Sequence, residues 1–190
     1  MRHLVFLLEE PSAREMLQGI MPKIIPGEIE IQYIVFQGKQ DLEKRIYGKL
    51  NGWRKPKSCF VVMRDQDSGN CFEIKRKLQK KVEEARKSEC CLIRIACREL
   101  ETFYLGDLTA VEKALHISGL AAKQNSKKFR DPDLLGNAAE ELKTATKKQY
   151  QKISGSRAIA PYMNLNNNKS TSFNMLISGV KKLIDECGGC

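Results

Sequence analysis

The chain of 190 residues lacks any apolar run long enough to cross a bilayer, since a membrane-spanning helix needs about 20 consecutive, mainly apolar residues. The opening apolar run, residues 4–8, is too short for the core of a signal peptide, and Glu9 and Glu10 follow it at once. We therefore expect a cytoplasmic protein that does not associate with membranes.

Histidine is also scarce, because the chain has only two, and neither is spaced for a zinc site with the cysteines. Cys187 and Cys190 form a lone CxxC pair, which is two ligands short of a structural zinc site. No glycine-rich P-loop is present, so any ATP hydrolysis has to come from another chain. No RNA-recognition motif or aromatic stacking platform is evident, so the sequence does not distinguish DNA from RNA as a partner.

Acidic residues are outnumbered, and the net charge of +10 favours polyanions as partners. Residues 1–115 contain 21 basic and 17 acidic side chains, whereas residues 116–190 contain 12 and 6. The C-terminal part is therefore the more basic one for its length. Its cations are the expected contacts for nucleic-acid phosphates.

Four apolar stretches predict strands, at residues 4–8, 29–36, 59–63 and 91–97. Segments with helical periodicity separate them, beginning at Pro11 and spanning residues 41–50 and 72–85. Strands that alternate with helices indicate βαβ units. We thus expect a Rossmann-like α/β fold, with a mainly parallel sheet flanked by helices.

The pattern changes after about residue 115, where strands are hard to find. Helices are predicted at residues 138–150 and 173–185, with polar loops at 123–128 and 164–169. We interpret residues 1–115 as a metal-binding core and residues 116–190 as a basic, mainly helical extension packed on it.

Acidic pairs follow three of the four predicted strands: Glu9 and Glu10, Asp65 and Asp67, and Glu99 and Glu101. Any one pair alone is more typical of a helix cap or a turn than of a metal site. However, ligands bind beyond the carboxyl ends of the strands in open parallel sheets, where all three pairs would meet. Gathered carboxylates need a cation, and oxygen ligands suit Mg²⁺ or Mn²⁺. The sequence therefore predicts a divalent metal site at this edge of the sheet.

Three segments carry a resemblance to a known family. LVFLLEEPSA at residues 4–13 resembles the strand and glutamate that open Toprim domains, and FVVMRDQD at 60–67 resembles their strand followed by DxD. RELE at 98–101 is similar to an acidic motif of Toprim nucleases of the OLD (overcoming lysogenization defect) type. Most of the chain, including KKFRDP at 127–132 and YQKISGSR at 150–157, resembles a small bacterial Toprim-like family. Its members are often encoded beside ABC- or SMC-type ATPases in phage-defence loci.

The resemblance implies a Toprim-like fold and a Mg²⁺- or Mn²⁺-dependent nuclease, the toxic effector of an ATPase-coupled antiviral system. It implies catalytic roles for Glu10, Asp65, Asp67, Glu99, Glu101 and Lys152. The implied metal ligands are Glu9, Glu10, Asp65, Asp67 and Glu101. The implied nucleic-acid contacts are Lys127, Lys128, Arg130, Lys152 and Arg157. Toprim domains place glycine after the first glutamate, where this chain has Pro11, so the choice between Glu9 and Glu10 stays open.

Two further alternatives remain at this level. A receiver-like signalling domain also places acids after its first and third strands and binds Mg²⁺, although it uses one phospho-accepting aspartate rather than DxD. A catalytically silent module could instead dock on an ATPase and present basic surface to nucleic acid. Self-association of the chain is likewise left open.

Overall fold

The computed structural model describes residues 1–25 and 27–186, and its centre is a single sheet of four parallel strands. The strands are β1 (Arg2–Leu8), β2 (Ile29–Val35), β3 (Ser58–Asp65) and β4 (Cys91–Ala96), arranged in the order β2-β1-β3-β4. The central strands β1 and β3 are buried nearly throughout, which is why they appear in the sequence as continuous apolar runs. The predicted Rossmann-like α/β fold is confirmed.

Three helices connect the strands: α1 (Pro11–Ile20), α2 (Lys39–Asn51) and α3 (Cys71–Glu84). Connections between parallel strands are right-handed. Given the strand order, this rule places α1 on one face of the sheet and both α2 and α3 on the other. In agreement with it, α2 and α3 pack against each other.

After β4 the described chain consists of helices joined by loops and short 3-10 turns. These helices are α4 (Glu101–Leu105), α5 (Leu108–Leu115), α6 (Ala138–Ala145), α7 (Lys152–Ile159) and α8 (Thr171–Glu186). Helix α7 packs on α1, and α8 packs along β4 at the edge of the sheet. Helices α4, α5 and α7 are not predicted from the sequence, because with five to eight residues each is too short to show a clear helical periodicity.

The predicted helix at residues 138–150 is wrong at its end, because α6 stops at Ala145. The Thr146 hydroxyl donates to the carbonyl of Leu142 at 2.7 Å and accepts from the backbone of Tyr150 at 3.2 Å. Lys147 and Lys148 then take left-handed backbone conformations. This turn redirects the chain so that Tyr150 enters the core and α7 starts at Lys152.

Within residues 1–25 and 27–186, none of the helices combines the length and hydrophobicity that crossing a bilayer requires. Cys187 and Cys190 lie outside the described residues.

The strand order also fixes where a ligand would bind. From β1 the chain passes first to β2 on one side and then to β3 on the other, so the topology switches between β1 and β3. The carboxyl ends of the strands open into a crevice at such a point. In this chain that point lies where β1 leads into Glu9 and β3 ends at Asp65.

Candidate metal centre

The acidic residues at the carboxyl edge form two groups. The inner acidic group contains Glu10, Asp65 and Glu101, together with the ammonium of Lys152. The outer ion-pair group contains Glu9, Arg64, Asp67 and Lys39. Neighbouring residues after β1 are thus divided between them: Glu10 is ion-paired with Lys152, whereas Glu9 contacts Arg64 and the backbone of β3.

Asp65 is buried at the last position of β3, with 7% of its surface exposed. Among the described residues, its carboxylate takes part in no hydrogen bond or ion pair. Burial raises the pKa of Asp65 well above its ordinary value, and the charges of Glu10, Glu101 and Glu9 raise it further, against the opposing charge of Lys152. An ionised Asp65 is therefore costly without an additional cation.

Glu101 is fully buried at the start of α4. Its Oε1 accepts a hydrogen bond from the Tyr150 hydroxyl at 3.0 Å, whereas its buried Oε2 has no hydrogen-bond partner within the described part of the chain. Burial raises the pKa of Glu101, although Lys152 and the Tyr150 hydrogen bond oppose the shift. Buried carboxylate oxygens are normally satisfied, so this one requires an explanation.

Lys152 supplies the positive charge of the inner acidic group. Its Nζ donates to Glu10 Oε2 at 2.6 Å, while Glu10 Oε1 accepts from the Ser12 hydroxyl. Partial burial lowers the pKa of Lys152, but the hydrogen bond to Glu10 and the charges of Glu10, Glu101 and Asp65 outweigh it and raise the pKa. One ammonium therefore faces three carboxylates and leaves them incompletely neutralised.

The outer ion-pair group is more exposed and better compensated. Asp67 has a left-handed backbone, and its Oδ2 lies 2.8 Å from Lys39 Nζ and 3.7 Å from Arg64 Nη2. Glu9 Oε2 accepts from the backbone nitrogen of Asp65 at 3.0 Å and lies 3.8 Å from Arg64 Nε. Burial raises the pKa of Glu9, although the hydrogen bond from Asp65 and the charge of Arg64 lower it. These contacts hold the strand ends together.

Glu99 points elsewhere, since its Oε2 accepts from the backbone nitrogen of Ala139 at 2.8 Å, in the first turn of α6. An acid at a helix N-terminus is stabilised by the free amide groups there. The structure therefore brings Glu101 into the inner acidic group but not its partner in the RELE motif.

The predicted nucleic-acid contacts are divided between the loop before α6 and helix α7. Lys127 and Arg130 are exposed, whereas Lys128 forms an ion pair with Glu141. Arg157 lies on α7 but is paired with the buried Glu15 of α1 at 2.6 Å. Only Lys152 of this set reaches the inner acidic group.

Tyr150 is a site residue that sequence reasoning missed. A Cβ atom on Gly155 would lie 2.5 Å from Cδ2 of the Tyr150 ring, so the glycine is needed where α7 packs on this ring. A tight turn at Gly155 is not present, because the residue lies inside α7. The sequence gives little sign of this role, because Glu101, the hydrogen-bond partner of Tyr150, is 49 positions away.

The oxygen donors of the inner acidic group fit Mg²⁺ or Mn²⁺ in kind, because these ions prefer carboxylates. As the side chains are placed in residues 1–25 and 27–186, no three acidic, cysteine or histidine residues are close enough to hold a metal together. The Lys152 ammonium lies among the carboxylates instead. The unpartnered Glu101 Oε2 and the unpaired Asp65 carboxylate are the groups to which a metal would add a partner.

A family model described as a domain of unknown function (DUF4276) matches residues 8–181. The chain belongs to this family. The DUF4276 match covers every member of the inner acidic group, including Lys152 and Tyr150 in the helical part. Neither the curated proteins nor the solved structures gave a significant match.

The Tyr150→Phe variant tests whether the tyrosine positions Glu101. Losing the hydroxyl removes the side-chain hydrogen bond to Glu101 in a buried site, so we expect a loss of about 1 to 3 kcal/mol in the free energy of unfolding. Urea denaturation in EDTA measures it. The control is Tyr162→Phe, at an exposed tyrosine, which should change stability by less than about 0.5 kcal/mol. Equal stability of both variants would show that the hydroxyl does not support Glu101.

Proposed function

We propose that this DUF4276 chain is a Mg²⁺- or Mn²⁺-dependent nuclease whose metal is held by Glu10, Asp65 and Glu101. One observation carries the proposal. Asp65 and Glu101 are buried carboxyls at the topological switch point of a parallel sheet. Within residues 1–25 and 27–186, the buried Oε2 of Glu101 has no hydrogen-bond partner and the Asp65 carboxylate forms no ion pair. Burying such groups without a partner is unfavourable, so their presence favours a ligand that the chain itself does not supply.

The divalent ion, when bound, would activate water and offset the charge that develops on a scissile phosphate. The protein's own residues prepare that site. Tyr150 fixes the orientation of Glu101, and Ser12 fixes that of Glu10. Lys152 is about half exposed, so in this proposal its ammonium turns from Glu10 to a non-bridging phosphate oxygen.

The other predicted ligands take supporting roles in this proposal. Glu9 and Asp67 are engaged with Arg64 and Lys39, and they hold the ends of β1 and β3 in register. Glu99 anchors α6. The choice between Glu9 and Glu10 therefore falls on Glu10 as the metal ligand.

An ATPase partner, a role as a defence effector, toxicity to the cell and a cytoplasmic location remain part of the proposal. They are supported by the resemblance to Toprim-like proteins described above and by the predicted lack of a P-loop in this chain. A nuclease without its own nucleotide site needs a second chain if ATP is to control it.

The experiment is cleavage of supercoiled plasmid and of tRNA by the purified protein with Mn²⁺, Mg²⁺ or EDTA. We expect cleavage with either metal and none in EDTA. The Lys152→Met variant should lose about 100-fold in rate, because a cation near the transferred phosphate contributes about 2.7 kcal/mol. Lys169→Met, at an exposed lysine, is the matched control and should keep the wild-type rate.

Two outcomes would contradict the proposal. Cleavage that persists undiminished in EDTA would exclude the metal mechanism. Stable labelling of Asp65 by a small phosphodonor, with no cleavage under any condition, would favour the receiver-like alternative instead.

A further inference from the structure

The layer formed by α2 and α3 carries much of the protein's positive charge, although the sequence directed attention to the C-terminal part. Helices α2 and α3 together contain 9 basic and 5 acidic side chains, a net charge of +4 out of the total of +10. Both helices lie on the same face of the sheet and pack side by side. The structure therefore collects this charge on one face.

Five exposed cations on these helices define what we call the α2–α3 basic face: Lys44, Lys49, Arg76, Lys77 and Lys80. None of them forms an ion pair with any described residue, although Glu73 and Glu84 lie four residues from Lys77 and Lys80. Three of the predicted C-terminal contacts, Lys128, Lys152 and Arg157, are instead paired with glutamates, which leaves only Lys127 and Arg130 of that set exposed and unpaired among the described residues. Unpaired cations are the ones free to replace the counterions of a polyanion.

The surface between these cations is indented rather than smooth. A shallow depression of about 500 Å³ on α2 is lined by Lys44, Lys49 and the ring of Tyr47, which is 41% exposed. A second one, of about 270 Å³, is lined by Arg76, Lys77 and Lys80 on α3. An exposed aromatic ring among cations is the arrangement on which nucleic-acid bases stack.

We propose that the α2–α3 basic face binds the phosphate backbone of a nucleic acid. Helix α2 has 13 residues and is therefore about 20 Å long at 1.5 Å per residue, which matches about six phosphates along one strand of a duplex. An anionic membrane fits less well, because a helix lying in a membrane needs a free apolar face. Ile74, Leu78 and Val82 of α3 are buried in the core, and the exposed Phe72 in its first turn is a single ring rather than an apolar face.

The basic face also leads to the inner acidic group. Both helices begin at the carboxyl edge of the sheet, and Lys39, the first residue of α2, contacts Asp67 there. A strand bound along the basic face would therefore reach the crevice between β1 and β3. Binding of nucleic acid to the basic face does not depend on the proposed nuclease function. Only the identification of the bound nucleic acid as the substrate rests on it.

The test measures binding separately from cleavage. All proteins carry Asp65→Asn and are kept in EDTA, and a fluorescent 20-base-pair DNA and a 20-nucleotide RNA are titrated at 50 to 200 mM salt. One variant adds Arg76→Glu, Lys77→Glu and Lys80→Glu. The control adds Lys123→Glu, Lys169→Glu and Lys181→Glu, three exposed cations of the C-terminal part with the same change in charge. Circular dichroism checks that each variant is folded.

We expect the α3 triple variant to lose tenfold or more in affinity for at least one of the two probes at 50 mM salt. Its slope of log affinity against log salt should fall by about 3, one for each phosphate contact removed. The control should lose less than threefold in affinity.

An equal or larger loss of affinity in the control, or no loss in either variant, would overturn the proposal. So would binding of anionic phosphatidylserine vesicles that is lost in the α3 triple variant while binding of both nucleic acids is kept. Because no cleavage is measured, the binding result can be interpreted even if the protein proves not to be a nuclease.

Discussion

Replacing Asp65 with asparagine should abolish cleavage while making the metal-free protein more stable. The carboxylate is buried beside Glu10 and Glu101, and its pKa is raised chiefly by burial, so removing its charge relieves a cost of folding. We expect a gain of about 1 to 3 kcal/mol in the free energy of unfolding at pH 8 in EDTA. The rate of Mn²⁺-dependent cleavage should fall about 1,000-fold, which corresponds to about 4 kcal/mol of lost transition-state stabilisation.

Asp67→Asn is the matched control, because this aspartate is 37% exposed and paired with Lys39 and Arg64. Its replacement removes a favourable ion pair, so stability should stay the same or fall by up to about 1 kcal/mol. Urea denaturation and a plasmid-nicking assay measure both variants. Destabilisation by Asp65→Asn would mean that the native site already stabilises the carboxylate and needs no metal ion to do so.

The sheet and its acidic edge could be predicted from the sequence, because each signal is local. A strand buried on both faces must be apolar throughout, as β1 and β3 are, and a parallel sheet brings all strand ends to the same edge. The order of the strands was not predicted, so neither was the position of the switch between β1 and β3.

The division of the acids into two groups could not be predicted, since it depends on partners far away in the chain. Glu10 meets Lys152 across 142 positions, and Arg157 meets Glu15 across the same separation. Glu99 and Glu101 are equivalent in the RELE motif, yet α4 begins between them and directs one outward to α6 and the other inward. Residues two apart at a strand end share a site only if the chain does not turn into a helix there.

A count of residues also could not predict which cations remain unpaired in the folded chain. By composition the C-terminal part is more basic than residues 1–115, but several of its cations are bound to glutamates in the folded chain. Helix α3 instead holds its lysines away from its own glutamates. The net charge of each segment therefore predicts a polyanion as partner, but it does not identify the surface that would bind it.

Divalent metal should stabilise the wild-type protein strongly, and the effect should grow with pH. The pKa values of Asp65 and Glu101 are raised in the folded state, so their contribution to stability is complete below their unfolded pKa values near 4. It is lost as the pH rises through the folded values, because the buried carboxyls then ionise. A metal that binds the ionised carboxylates reverses this loss, whereas it has to displace protons at lower pH.

Thermal unfolding at pH 5.5 and pH 8, with Mn²⁺ or with EDTA, measures the effect. At 100 times the dissociation constant, binding to the folded state alone adds about 2.7 kcal/mol, which corresponds to about 5 to 10 °C in Tm for a chain of this size. We expect this shift at pH 8 and a smaller one at pH 5.5. The double variant with Asp65→Asn and Glu101→Gln should show none, since both unpartnered carboxylates are gone, while Asp67→Asn should keep most of it. A Tm shift of the same size in the double variant would place the metal outside the inner acidic group.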